Sequence, residues 1–248
     1  MTTLVSAFYT IASKRPAAEY MDYVRTFLRT VPVPLVFFTS AELKESFAAL
    51  DREGITWVVK PLEQMRIFQY RDRAFWQRQC ALDPEKAYIT PDLAAIWANK
   101  QYFVLDAIEL LMQPSDETAV FLWCDAGCLR DAHAVAAAAH LGTRTAFGLQ
   151  DHRLHVATIS DPPAAPSRCY AFPQRYLSCA LLAGTPRAWR EYARLYAVCL
   201  EEYVTARVGA TSDQHVTHTA VDREPERFVL YPHASNRVDP WFKFLEFL

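Results

Sequence analysis

An apolar run ends in an acid at Phe121-Leu122-Trp123-Cys124-Asp125-Ala126-Gly127-Cys128-Leu129-Arg130. Val120 to Trp123 has the β-branched and aromatic content of a buried strand, and Ala126-Gly127 lets a backbone or ligand approach closely where that strand stops. Ligands of open α/β sheets collect at the carboxyl ends of strands, so Asp125 is placed to meet one. A carboxylate there can hold a divalent ion that in turn holds phosphates, because hard oxygen donors suit Mg²⁺ or Mn²⁺. The same acid can instead cap a following helix. Cys124 and Cys128 flank it, but with no matching downstream pair they make a weak zinc pattern.

Glycine is scarce, with six in the chain (Gly54, Gly127, Gly142, Gly148, Gly184 and Gly209). Neither GxGxxG nor GxxxxGK[ST] can be written, so a backbone cradle for phosphates of those kinds is absent. A bound nucleotide would therefore be held by a metal and by side chains.

The elements that must position these residues alternate. Leu4 to Thr10 reads as a strand, and Tyr20, Tyr23, Val24, Phe27 and Leu28 fall at helical spacing behind Pro16. Pro34 to Thr39, a helix over Ala41 to Asp51, and a strand over Ile55 to Lys60 complete a βαβαβ pattern, which predicts a mostly parallel sheet with right-handed crossovers. Its ligand edge should collect Phe8, Tyr9, Thr10 and Thr39. Helices are expected over Asp72 to Leu82 and Pro91 to Met112, the latter broken near Asn99-Lys100. Short strands follow at Thr145 to Leu149, Leu154 to Ile159 and Leu177 to Leu182, around a proline-rich loop from Asp161 to Ser167. Trp189, Tyr192, Ala193, Tyr196, Leu200, Tyr203 and Val204 then form the apolar face of a long helix.

Composition bounds the function. The 248 residues are 52% hydrophobic and 22% charged, enough for one compact domain. A formal net charge of -2 with scattered Lys and Arg gives no footprint for nucleic acid. No apolar run reaches the length of a transmembrane segment and no basic region precedes Leu4 to Ala12, so the expected location is cytoplasmic. The six cysteines form no CxxC pair and read as buried free thiols. The sequence sets no oligomeric state.

Three segments in order resemble the HtrL/YibB-like glycosyltransferase family, itself similar to nucleotide-sugar transferases of the GT-A fold. They are Leu4-Val5-Ser6-Ala7-Phe8-Tyr9, the stretch from Tyr88 through Trp97-Ala98-Asn99-Lys100, and Trp123 through Arg130. The likeness covers the first 130 residues or so and continues more loosely through Leu182-Ala183-Gly184 and Asp213-Gln214. It implies a single GT-A-like domain over 1–248, α/β with a mostly parallel central sheet flanked by helices. Residues 1–130 would bind the nucleotide sugar and 131–248 the acceptor. It also implies a metal-dependent transferase that moves a sugar from a nucleotide diphosphate sugar, UDP-sugar favoured, to a glycan or glycoconjugate, with Mn²⁺ or Mg²⁺ bridging protein and pyrophosphate. The usual Asp-x-Asp of such enzymes has Gly127 at its second position here, leaving Asp125 as its one acid.

On this reading Ala7, Phe8, Tyr9, Thr39, Asn99, Lys100, Trp123, Cys124 and Asp125 contact the donor. Lys100 faces the diphosphate or the donor sugar; the bland account is a solvated helix face. Asp125 and a late histidine, His233, would hold the metal. Asp213 is the candidate base that takes the acceptor hydroxyl's proton, or else a helix cap. His215 and His218, three apart on a helix with no third ligand, are expected at the surface, and Arg66, Arg71 and Arg73 on a solvated loop. A phosphohydrolase would need more convergent carboxylates. A binding module without catalysis is the other alternative.

Overall fold

The structure is a computed structural model that describes residues 2–13, 16–112, 117–141, 152–164, 168–171, 174–232 and 241–242. In chain order the elements are β1 (Thr2–Phe8), α1 (Ala17–Thr30), β2 (Leu35–Thr39), α2 (Ala41–Ser46), β3 (Ile55–Val59), α3 (Arg66–Tyr70), α4 (Arg73–Leu82), α5 (Pro91–Ala98), α6 (Lys100–Leu111) and β4 (Val120–Cys124). Then come α7 (Ala132–Ala138), β5 (Leu154–Thr158), β6 (Leu177–Gly184), α8 (Pro186–Ala206), α9 (Asp213–Arg223) and β7 (Phe228–Tyr231).

Among the described residues, seven strands form one sheet in the order β3-β2-β1-β4-β6-β5-β7. β1 pairs in parallel with β2 and β4, β2 with β3, and β5 with β7, whereas β6 runs antiparallel to both β4 and β5. The α/β class with a mostly parallel sheet, expected from the alternating pattern, is what the chain adopts.

Period-two alternation sends successive side chains to opposite faces. Val5, Val36, Phe38, Phe121 and Trp123 pack with α4, α5, α6, α8 and α9 on one face. Leu4, Leu35, Phe37, Leu122 and Cys124 pack with α1 and α7 on the other. Central strands covered on both faces read as unbroken apolar runs, which is why β2 and β4 are buried at every position.

Local chemistry sets the helix boundaries. Asp72, Thr90, Asp131 and Thr185 each accept a backbone N–H as side-chain caps of α4, α5, α7 and α8. The predicted break near Asn99 is real: Asn99 ends α5, and its Oδ1 accepts from Ile67 N at 3.0 Å. The helix expected over Ala41 to Asp51 is shorter, because Phe47 leaves the helical region and a single 3₁₀ turn follows. Arg66 and Arg73 open α3 and α4 and Arg71 follows α3, so they stand at helix ends, paired with acids: Arg66 with Asp106 and Glu109, Arg71 with Glu201, Arg73 with Glu63 and Asp92. The strand expected at Thr145 to Leu149 lies outside the described residues. No helix among the described residues is long and apolar enough to cross a membrane.

Candidate functional site

β4 delivers Asp125 to the carboxyl edge of the sheet. Asp125 N donates to Ala180 O at 2.8 Å, and Cys128 N donates to Asp125 O at 3.0 Å, closing a tight turn. At Gly127 an added Cβ would rest on the Tyr20 ring at 3.4 Å, so a small residue lets α1 close on this turn.

Lys100, the first residue of α6, reaches this edge from the helical face of the sheet. Its Nζ lies 3.0 Å from Asp125 Oδ1, 2.7 Å from Asp213 Oδ2 and 2.9 Å from the Cys179 carbonyl. The ammonium donates hydrogen bonds to Asp125 and to the Cys179 carbonyl, while Asp213 Oδ2 stands at ion-pair distance without an aligned hydrogen bond of its own. Trp123 Nε1 donates to the same Asp125 Oδ1 at 2.8 Å. The Lys100 and Asp213 side chains are 5% and 8% exposed, against 34% for Asp125. Lys100 is therefore a buried cation between two carboxylates and not a solvated helix face.

The ionisation of the trio follows from burial and charge. Burial alone would lower the Lys100 pKa, but Asp125 and Asp213 more than offset it and hold the ammonium charged. Asp213 is pushed above the ordinary carboxylate range by desolvation, with Lys100 pulling it back and Asp125 adding to the rise. Asp213 begins α9, while Ser212 stands at the cap position without a side-chain cap bond. The alternative of Asp213 as that helix cap is thus not realised.

Two cavity lobes meet here. The first, about 230 Å³, is walled by Ala7, Phe8, Tyr9, Thr10, Trp123 and Asp125 among others. The second, about 360 Å³, is walled by Asp83, Glu85, Arg175, Asp213, His215 and Phe242 among others. Tyr20, Trp97, Lys100, Asp125 and Arg130 belong to both.

Of the residues expected at a donor site, Ala7, Phe8, Tyr9, Lys100, Trp123 and Asp125 line the first lobe. Three others do not. Thr39 is fully buried with its hydroxyl donating to Phe8 O at 2.9 Å. Asn99 spends its side chain on Ile67 N, as above. Cys124 points into the opposite core, its Sγ 3.1 Å from that of Cys128. These three hold the strand ends and the turn in place. His215 and His218 are buried, 4% and 2% exposed, contrary to the surface pair expected. His218 stacks on Tyr170 at 3.7 Å between ring centres, and His215 enters the second lobe with Nε2 lacking a hydrogen-bond partner. Burial depresses the His215 pKa to about 4.

The residues that sequence reasoning missed, Tyr20, Glu85, Arg130, Arg175 and His215, come from segments far apart in the chain. Arg130 carried one signal, since it closes the block that begins at Trp123, and His215 another in its spacing from His218.

His233, the expected second metal ligand, lies outside the described residues. Among the described residues, no three His, Cys, Asp or Glu side chains converge as a metal site. Asp125 Oδ1 is already shared by Trp123 and Lys100, and Lys100 also lies 3.3 Å from Oδ2. A divalent ion on Asp125 would sit beside a permanent ammonium, and the donor set described here does not fit one.

No family model matches the chain, and no curated protein matches it. Among solved structures, it is similar to a 4-diphosphocytidyl-2C-methyl-D-erythritol synthase from Anaerococcus prevotii, with 8% identity over 99% of this chain and 94% of that one and a TM-score of 0.42. Likeness at this level identifies neither a substrate nor a reaction.

Proposed function

We propose that this chain is a transferase that moves a sugar from a nucleotide diphosphate sugar to a hydroxyl group of a glycan or glycoconjugate. The donor occupies the first lobe and the acceptor the second. The observation that carries this reading is the meeting of the two lobes at Asp125 and Lys100, with the buried carboxylate of Asp213 on the second lobe's side. A two-substrate reaction needs such a junction, and a carboxylate beside it is the group an attacking hydroxyl needs.

In this mechanism the aromatic residues Phe8, Tyr9 and Trp123 enclose the nucleoside side of the donor, and Asp125 accepts from sugar hydroxyls. Ionised Asp213 receives the acceptor hydroxyl's proton as that oxygen attacks the anomeric carbon. The bond from that carbon to the diphosphate oxygen breaks, and the nucleoside diphosphate leaves with the electron pair. Lys100 holds Asp213 ionised and aimed until that moment. The first lobe draws on residues 7–130, which supports a donor half over 1–130 and an acceptor half completed by 131–248. The resemblance to the HtrL/YibB-like family supports a UDP-sugar as donor.

The test is a transfer and donor-hydrolysis screen of UDP-, GDP-, ADP- and CMP-sugars against mixed glycan acceptors, with wild type and Asp213→Asn. Turnover of one donor class, lost in Asp213→Asn with nucleotide affinity unchanged, is the expected result. Nucleotide binding without transfer or hydrolysis of any donor would make the protein a binding module. Phosphate release without sugar transfer would make it a phosphohydrolase.

A further inference from the structure

A diphosphate at the junction of the lobes needs a cation, and the two groups expected to provide one are committed elsewhere. Lys100 is ion-paired with both Asp125 and Asp213 and donates to the Cys179 carbonyl, and Asp125 already shares its oxygens with Lys100 and Trp123. The remaining cations lining the lobes are Arg175, paired with Glu85, and Arg130.

Arg130 has no carboxylate partner among the described residues, and it lines both lobes. It stands in the turn between β4 and α7, where its backbone N–H donates to Cys128 O at 3.1 Å and the next residue, Asp131, caps α7. Its Nε donates to Gly127 O at 2.8 Å. Its guanidinium carbon lies 4.8 Å from the centre of the Phe242 ring and 5.8 Å from that of Tyr23. One edge of the fork is thus anchored and two aromatic rings lie against it, while the two terminal amino groups have no hydrogen-bond or carboxylate partner among the described residues. That is the geometry of a preorganised bidentate phosphate ligand, and an arginine stacked in this way keeps its charge and its aim at little entropic cost.

We infer that Arg130 takes the diphosphate of the bound nucleotide through its terminal amino groups and supplies the charge that a second acid and a divalent ion would otherwise bring. Nucleoside diphosphate binding is then independent of divalent metal. The inference rests on the transferase reading, and it concerns a residue two positions beyond the turn whose Gly127 replaces the second acid.

Binding heats for UDP, GDP, ADP, CDP and inorganic pyrophosphate, each in EDTA and in Mn²⁺, test it with wild type, Arg130→Met and Arg130→Lys. Thermal melting of each variant checks that it folds. One nucleoside diphosphate should bind wild type in EDTA, with affinity changed less than about twofold by Mn²⁺. Arg130→Met should weaken it about 10- to 100-fold, the range for losing charge-assisted hydrogen bonds. Arg130→Lys, which keeps the charge and the fold but loses the fork, should fall between. Binding that requires Mn²⁺, or binding in EDTA that Arg130→Lys and a folded Arg130→Met leave intact, overturns the inference while the transferase reading stands. Binding of none of the probes in either buffer overturns both.

Discussion

The two lobes are built by different means. The first is made largely of β1 and β4 ends and the first turns beyond them, where a parallel sheet lays out successive residues at one edge. The second is assembled from Asp83 and Glu85 after α4, Arg175 before β6, Asp213 and His215 on α9, and Trp241 and Phe242 near the end of the chain. Strand topology fixes the shape of the first, whereas paired and buried charges fix the second. Substitutions in the first lobe should therefore act mainly on ligand fit, and those in the second on ionisation, turnover and stability together.

The largest effect that separates them is on turnover. Asp213→Asn keeps the size of the side chain and the contact with Lys100 but cannot accept a proton. It should lower kcat about 100- to 10,000-fold, the usual contribution of a general base, with nucleotide binding in the first lobe unchanged. Since Asp213 sits above the ordinary carboxylate range and must be ionised to act, the acid limb of the wild-type rate profile should lie above about pH 4 and rise with pH. A rate that is flat from pH 4 upward would remove Asp213 from the base role.

Lys100→Met comes next. It leaves two carboxylates near one another without their shared cation, and breaking a buried pair in this way costs about 3–5 kcal/mol. Denaturant titration should find that loss, with the double variant Lys100→Met/Asp213→Asn recovering part of it because one of the orphaned charges is gone. An additive double variant would mean that the 2.7 Å contact between Lys100 and Asp213 contributes nothing to the folded state.

The same contrast explains what could be read in the sequence. β2, β3, β4, β6 and α8 follow from apolar runs and helical spacing, because a residue's neighbours in sequence are its neighbours in the element. Asp125 and the Ala7 to Tyr9 edge follow from where a strand stops. α9 does not. Its Thr217 and Thr219 are fully buried, with Thr217 Oγ1 bonded to Asp213 O at 2.6 Å and to the Tyr192 hydroxyl at 2.7 Å, and Thr219 Oγ1 lying 3.2 Å from the Tyr203 hydroxyl. A polar helix reads as a surface helix until the tyrosines of α8 that satisfy it are placed beside it. His215 and His218 were misplaced at the surface for that reason. Lys100 was expected at the donor site with a solvated helix face as its alternative, and its burial was not legible for a related reason, since a buried lysine is read through its partners, and these lie 25 and 113 residues away.

A third effect belongs to His215. Its pKa falls from 6.5 in the unfolded chain to about 4 in the folded protein, chiefly by burial. The folded state then resists a proton that the unfolded chain accepts. Stability tied to this residue is present in full above about pH 6.5 and is lost as pH falls toward 4. The loss is roughly 3 kcal/mol for a shift of this size. His218 is depressed in the same direction, so His215→Gln should flatten the acid side of a stability–pH curve only in part. A curve unchanged by His215→Gln would place that imidazole in contact with water.

The smallest effect returns to the first lobe. Tyr9 is buried beside Phe103, and its hydroxyl donates to Lys60 O at 2.9 Å, away from the Lys100 and Asp125 junction. If strand geometry sets this lobe, its wall is the ring and the hydroxyl only steadies the strand end. Tyr9→Phe should cost about 1 kcal/mol of stability, the typical worth of one such bond, and change nucleoside diphosphate affinity less than about twofold. A greater loss of affinity than of stability would mean that a polar group of the first lobe reaches the ligand, and the division between a lobe shaped by strands and a lobe governed by charge would fail at that residue.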